Sequence, residues 1–176
     1  MPCPHNEISI VQRSHRQSAV AAAAYQSGEK LFCEYDQEVK HYPEKRGIVH
    51  NEILLPANAP LEYTDRNTLW NAAEAVEKQW NSQLARRWVL SIPREIPPDQ
   101  YAALVRDFCR QQFVSKGMCV DFAIHDKGDG NPHAHVMLTG TPSTIPADTP
   151  TMTLATARGA ASGLTEAAAT EKASEQ

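Results

Sequence analysis

Three of the seven histidines in this 176-residue chain, His125, His133 and His135, fall within eleven residues of one another. They are separated by Asp126-Lys127-Gly128-Asp129-Gly130-Asn131-Pro132, a polar, Gly- and Asp-rich run of the kind that folds two strands into a hairpin. Successive strand side chains point to opposite faces, so His133 and His135 share one side. His125 ends the apolar, β-branched run from Met118 and would meet them across the hairpin. Three convergent imidazoles suit one divalent metal with positions left open for a substrate. A single strand histidine is ordinarily a core or surface residue, but three at this spacing imply a shared task. A calcium loop starting at Asp126 is excluded, because its twelfth position is Met137 where a Glu is required.

A second residue able to do chemistry is Tyr25, in Ser18-Ala19-Val20-Ala21-Ala22-Ala23-Ala24-Tyr25-Gln26-Ser27-Gly28. In a helix, Ser18, Ala22 and Tyr25 fall on one face, and the small residues let that face approach another surface closely. A phenol with a pKa near 10 is a poor nucleophile at neutral pH. It needs a base or metal beside it, or a metal that activates its target. From spacing alone, a tyrosine closing an apolar helix face is the plainer reading.

These groups need a scaffold, and the sequence supplies alternating elements. Residues 7–12 read as a strand and 18–26 as an Ala-rich helix closed by Ser27-Gly28. Residues 29–47 show no period and read as a loop. A strand over 49–55 stops at Pro56. A helix over 65–83 starts near Asp65 or Thr68, with Leu69, Ala72, Ala73, Val76 and Trp80 as its apolar stripe. A strand over 87–92 stops at Pro93, a helix over 98–115 stops at Gly117, and the histidine hairpin follows. The order predicts an α+β layer fold, an antiparallel sheet of about five strands backed by helices, with the histidine hairpin at its centre.

The composition changes at Gly140. The last 37 residues hold 8 Thr and 9 Ala and few large apolar side chains, so 140–176 reads as a disordered tail behind a domain of residues 1–139. The net charge of −4 does not announce a nucleic-acid binder, so any DNA contact must come from local groups such as Arg13, His15 and Arg16. The four cysteines (Cys3, Cys33, Cys109 and Cys119) have no metal-type spacing, and there is no leader-like or long apolar run. That predicts reduced thiols, buried at Cys109 and Cys119, in a cytoplasmic protein without a membrane partner.

Several blocks together carry a family resemblance. They are Arg13-Ser14, Gln17 through Tyr25 with Ser27-Gly28, Glu52-Ile53-Leu54-Leu55-Pro56, Asp65-Arg66 with Leu69-Trp70-Asn71, Gln83-Leu84-Ala85-Arg86, and Gly130-Asn131-Pro132-His133-Ala134-His135. In this order, over about residues 6 to 139, the chain resembles the plasmid mobilisation relaxases of the MobA/MobL type, which belong to the histidine–hydrophobe–histidine endonucleases. His133-Ala134-His135-Val136-Met137 also resembles the histidine-triad nucleotide hydrolases, but Met137 stands where their third histidine is needed.

The resemblance implies a single-strand DNA endonuclease and strand transferase. Tyr25 matches the tyrosine that attacks one phosphodiester at a transfer origin, leaving a 5′-phosphotyrosine link and a free 3′-OH. His125, His133 and His135 match the metal site, with Mg²⁺ or Mn²⁺ implied, although three imidazoles by ligand type favour Mn²⁺, Co²⁺, Ni²⁺ or Zn²⁺. Single-stranded DNA at the origin is the implied partner, with room for accessory proteins of a relaxosome. Many relatives carry a Glu where this chain has Arg87, and an Arg cannot orient a histidine or take a proton. Asp121, four residues from His125 on the same strand face, is the first substitute and Glu52 the second. Arg87 joins Arg13 and Arg16 as a candidate DNA contact. Relatives also continue with structured sequence where this chain turns Thr/Ala-rich, which reads as a truncated or frame-shifted relaxase. The alternatives are a non-cutting DNA-binding remnant and a rolling-circle replication or transposition endonuclease. Those enzymes usually place their tyrosine after the metal motif rather than before it.

Overall fold

The computed structural model describes residues 6–140. The predicted Thr/Ala-rich tail therefore lies, from residue 141 onward, outside the described residues, as do residues 1–5. Within 6–140 the strands are β1 (Glu7–Gln12), β2 (Leu31–Cys33), β3 (Glu38–Lys40), β4 (Ile48–Leu54), β5 (Gln83–Ser91), β6 (Val120–His125) and β7 (His133–Leu138). The helices are α1 (Ala19–Ser27), α2 (Arg66–Val76) and α3 (Tyr101–Gln112).

Five strands form one antiparallel sheet in the order β1-β5-β7-β6-β4, and β2 pairs with β3 in a separate hairpin. The predicted α+β architecture is the one found, and β7, the second histidine strand, is central. Because strand side chains alternate, the sheet has two distinct faces. On one, Trp88, Leu90, Phe122, Ile124, Val136 and Leu138 pack against Leu104, Val105 and Phe108 of α3. On the other, Val11, Leu84 and Met137 pack with the alanines of α1 and with Leu69 and Trp70 of α2.

Local chemistry explains the helix ends. The Ser18 hydroxyl accepts from Ala21 N at 3.1 Å, the usual role of an N-cap serine. Gly28 closes α1 at φ 74°, and a Cβ there would meet Ile48 Cδ1 at 2.8 Å. Ala19, Val20, Ala23 and Ala24 are all 0 % exposed, so the run of small residues lets α1 lie flat on the sheet. Asp65 caps α2, accepting from Thr68 N at 2.8 Å.

Three sequence readings are corrected. Helix α2 ends at Val76 rather than Gln83, and β5 begins at Gln83 rather than Arg87. Val76 and Trp80 are consequently exposed, at 77 % and 67 %, while Trp70, left out of the expected stripe, is fully buried. The apolar spacing runs on past Val76, but the helix does not. Lastly, residues 29–47 contain the β2–β3 hairpin, whose three-residue strands are too short to display an alternating pattern. Among the described residues no helix is long and apolar enough to cross a membrane, and Cys33, Cys109 and Cys119 are buried free thiols.

Candidate metal centre and tyrosine site

The β6–β7 register places His125 opposite His133, with His135 one alternation further along β7. All three rings project from the α1 side of the sheet. Ring centroids lie 4.4 Å apart for His125 and His135, 5.1 Å for His133 and His135, and 5.5 Å for His125 and His133. One nitrogen from each ring falls within 4.8 Å of the other two.

Two of the rings are held by backbone carbonyls. Nε2 of His125 lies 2.9 Å from Gln26 O, and Nδ1 of His133 lies 2.8 Å from Asn131 O. A ring N–H donated to a carbonyl fixes the tautomer and leaves the other nitrogen free as a ligand. His135 is different. Its Nδ1 is buried without a hydrogen-bond partner among the described residues. Burying an unsatisfied polar atom costs about 1–3 kcal/mol, and a cation is the kind of partner this nitrogen fits. Burial, aided by the charge of Lys45 and the neighbouring histidines, pushes His125 down to about 4 and His135 to about 3. Both rings are therefore neutral at pH 7, the form that binds a metal. The donor set fits a divalent ion.

Tyr25 comes to this site through its neighbour. The Gln26 carbonyl meets His125, and Gln26 Nε2 donates to Asp121 O at 3.0 Å, so α1 is fastened to β6 at two points. Gln26 is fully buried, while Tyr25, one residue earlier, is 41 % exposed. Its ring stands edge-on to Tyr42 at 5.4 Å, and Lys45 Nζ lies 4.1 Å from its centroid. Two cavities open onto Tyr25. One, of about 480 Å³, is lined by Arg16, Ser18, Ala22, Tyr42 and Arg87. The other, of about 700 Å³, is lined by His41, Tyr42, Lys45, Arg46 and Lys127.

The structure thus gathers Tyr25, the histidines, Arg16 and Arg87 into one region. Arg87 pairs with Met137 on the histidine face, and its charge acts on His135. The other sequence candidates lie elsewhere. Asp121 is 0 % exposed, and its carboxylate accepts from Arg66 Nε at 2.8 Å, Arg66 Nη2 at 2.9 Å and Trp70 Nε1 at 2.8 Å. It anchors α2 to the sheet, and only its backbone carbonyl touches the site, through Gln26. Glu52 pairs with Phe122 on the opposite face, where it binds Arg106 and His50. Carbonyls, not carboxylates, orient the rings of His125 and His133. Arg13 is 8 % exposed and donates to Glu74 O and Glu77 O at 3.0 and 2.9 Å, satisfying the end of α2. Sequence reasoning missed Lys45 and the Gln26 carbonyl. The only signal for Lys45 was a basic pair, Lys45-Arg46, next to Tyr42-Pro43 in a stretch without a period.

A central histidine hairpin with a tyrosine helix laid across it has the architecture of the relaxase-type proteins of plasmid mobilisation. The chain belongs to the MobA/MobL family, whose model matches residues 17–172, running past the residue 139 at which the sequence resemblance ends. It is 40 % identical over 154 residues, 82 % of its length, to the "Conjugal transfer protein TraA" of Agrobacterium fabrum (strain C58 / ATCC 33970), and spans 14 % of that protein. It is 33 % identical over 135 residues to the "Probable mobilization protein MobA" of Bifidobacterium longum (strain NCC 2705), covering 76 % of this chain and 24 % of that one. A solved structure described as "Molecular Basis of Vancomycin Resistance Transfer in Staphylococcus aureus" superposes with a TM-score of 0.74 at 31 % identity, over 89 % of this chain and 86 % of the other. The chain therefore corresponds to a minor part of the curated relatives it matches.

Proposed function

We propose that this chain carries out the nicking and strand-transfer chemistry of a mobilisation relaxase on single-stranded DNA at a transfer origin. The observation that supports it most is the hydrogen bond from His125 to the carbonyl of Gln26, which ties the residue next to Tyr25 to the histidine cluster. Nucleophile and metal ligands are thereby held in one piece.

In the reaction, the Tyr25 oxygen attacks a phosphodiester phosphorus. An Oη–P bond forms, the P–O3′ bond breaks, the phenol proton passes to solvent water, and the leaving 3′ oxygen takes a proton from water. The 5′ phosphate remains on Tyr25. His125, His133 and His135 would hold the divalent ion, Mg²⁺ or Mn²⁺, which supplies charge stabilisation at the phosphate oxygens. Tyr25 is presented to solvent from a helix whose opposite face is buried, so the strand reaches it without unfolding anything. Arg16 and Arg87, on the wall of the first cavity, meet the phosphates beside the scissile one. Tyr42, edge-on to Tyr25, offers a ring face on which a base can stack.

The test uses the full chain, Mn²⁺ and single-stranded oligonucleotides tiling the DNA upstream of its reading frame. A covalent protein–DNA adduct that Tyr25→Phe abolishes supports the proposal. Sequence-selective binding without any adduct would favour the non-cutting remnant.

A further inference from the structure

The segment 41–47 joins β3 to β4 and touches both Tyr25 and the residue after His125. Tyr42 lies against Tyr25 at its start. A turn follows, in which Lys45 N donates to Tyr42 O at 3.1 Å. At its end, Gly47 O accepts from Asp126 N at 2.8 Å, fixing the segment to the residue after His125. Gly47 sits at φ 81°, and a Cβ there would meet Lys127 Cγ at 2.9 Å and Asp126 O at 3.2 Å. The close approach and the left-handed backbone both call for glycine. The strap is therefore fastened at the nucleophile and at the metal hairpin, and Lys45 lies between.

The Lys45 ammonium stands 4.1 Å from the Tyr25 ring centroid and lines the larger cavity with Lys127 and Arg46. Glu44 lines the same cavity, but among the described residues no carboxylate pairs with Lys45. Lys45 is half-buried as a residue, and its charge is felt at both His125 and His135. A cation held by the histidines and the ammonium of Lys45 repel each other. An anion between them converts that repulsion into two attractions. A phosphodiester within reach of Tyr25 is such an anion.

On the relaxase reading given above, we propose that Lys45 is a further catalytic residue, holding a non-bridging oxygen of the scissile phosphate between the Tyr25 oxygen and the histidine cluster. It orients the phosphorus for attack and neutralises part of the charge that gathers on the phosphate. It also makes the metal site and the DNA depend on each other, because the metal binds against Lys45 when DNA is absent and with it when DNA is present.

This predicts two opposite effects of one substitution. Lys45→Met should slow adduct formation about a hundredfold, the usual cost of losing one charge-stabilising donor. The same variant, without DNA, should bind Mn²⁺ about three- to tenfold more tightly, because a nearby positive charge is gone. Lys45→Arg, which keeps the charge, should recover most of the rate and leave Mn²⁺ affinity near that of the wild type. The experiment is calorimetry with Mn²⁺ alone, followed by adduct formation on the oligonucleotide tiles, for the three full-length proteins. Wild-type activity in Lys45→Met, or weaker Mn²⁺ binding in it, overturns the role of Lys45 and leaves the relaxase reading intact. A wild type that forms no adduct on any tile overturns both.

Discussion

The two faces of the sheet are built by different rules. Against α3 the layer is almost wholly apolar, with Phe122, Ile124, Val136 and Leu138 each 0 % exposed and no buried charge among them. Against α1 and α2 the layer mixes the alanines of α1 with Val11, Leu69, Trp70, Leu84 and Met137, and it is threaded with buried polar groups: Asp121, Arg66, Glu74, Arg13, Gln26 and His125. Each of these is tied to a particular partner. Glu74, for example, accepts from Ser18 Oγ at 2.7 Å and from Val20 N at 3.2 Å. Apolar packing is non-directional and supplies most of the folding free energy. Hydrogen-bonded ion pairs hold elements in one register, because an unmet buried charge is so unfavourable. The α3 face accordingly stabilises the sheet, and the other face fixes where α1, and with it Tyr25, sits against the histidines.

The contrast can be broken most severely at the histidines themselves. His135→Ala should remove Mn²⁺ binding and adduct formation together, because it takes one of three protein ligands. Calorimetry and gel assays check this, and undiminished Mn²⁺ affinity would contradict the metal site. Next come changes of shape-matched residues on the two faces. Asp121→Asn leaves the buried Arg66 with only the half-exposed Glu29 as a carboxylate partner and should cost about 3 kcal/mol in urea unfolding, the low end for a broken buried pair. Leu138→Met, equally buried but on the α3 face, should cost under about 1.5 kcal/mol. Equal costs would mean that the faces do not differ as described.

A subtler effect is expected at the cavity wall. Arg16→Ala combined with Arg87→Ala should flatten the dependence of log affinity for single-stranded DNA on log salt by about 1.4, for two lost phosphate contacts. Arg13→Ala should instead lower the unfolding midpoint, since Arg13 satisfies carbonyls at the end of α2. An unchanged slope in the double variant would remove Arg16 and Arg87 from the DNA path.

The smallest effect belongs to Glu52. Burial pushes its carboxyl up, but hydrogen bonds from Arg106 and His50 outweigh this and leave it below its ordinary value of 4.5. Its contribution is therefore present above pH 4.5 and lost as the pH falls through the lowered value. The pair is partly exposed, so Glu52→Gln should cost less than about 1 kcal/mol at pH 7, and progressively less as the pH falls through the lowered value. It should leave Mn²⁺ affinity unchanged, because Glu52 lies on the other side of the sheet.

The sequence revealed what local rules control. Strand alternation brought His133 and His135 to one side, Ser18 and Gly28 bounded the tyrosine helix, and Asp65 started the next one. Alternation also put Asp121 on the face of His125, but not its partner. Arg66 and Trp70 are more than fifty residues away in sequence, and only the tertiary fold brings them to that carboxylate. Glu52 was misplaced for a related reason, since strand pairing, not composition, sets which face it occupies. Arg13 matched the need for local positive charge, yet its guanidinium is drawn to carbonyls at the far end of α2. The strap around Lys45 has no signature in the sequence, because a segment fixed by single backbone hydrogen bonds leaves no periodic trace.

The central claim is that Tyr25, held against the histidine cluster by Gln26, is the residue that links to DNA. Proteolysis and mass spectrometry of the adduct formed on a cleaved oligonucleotide test it most directly. The account predicts one modified peptide, with the 5′ phosphate on Tyr25, and none in Tyr25→Phe. An adduct on Tyr42, which faces the same two cavities, or on Tyr35, would contradict it.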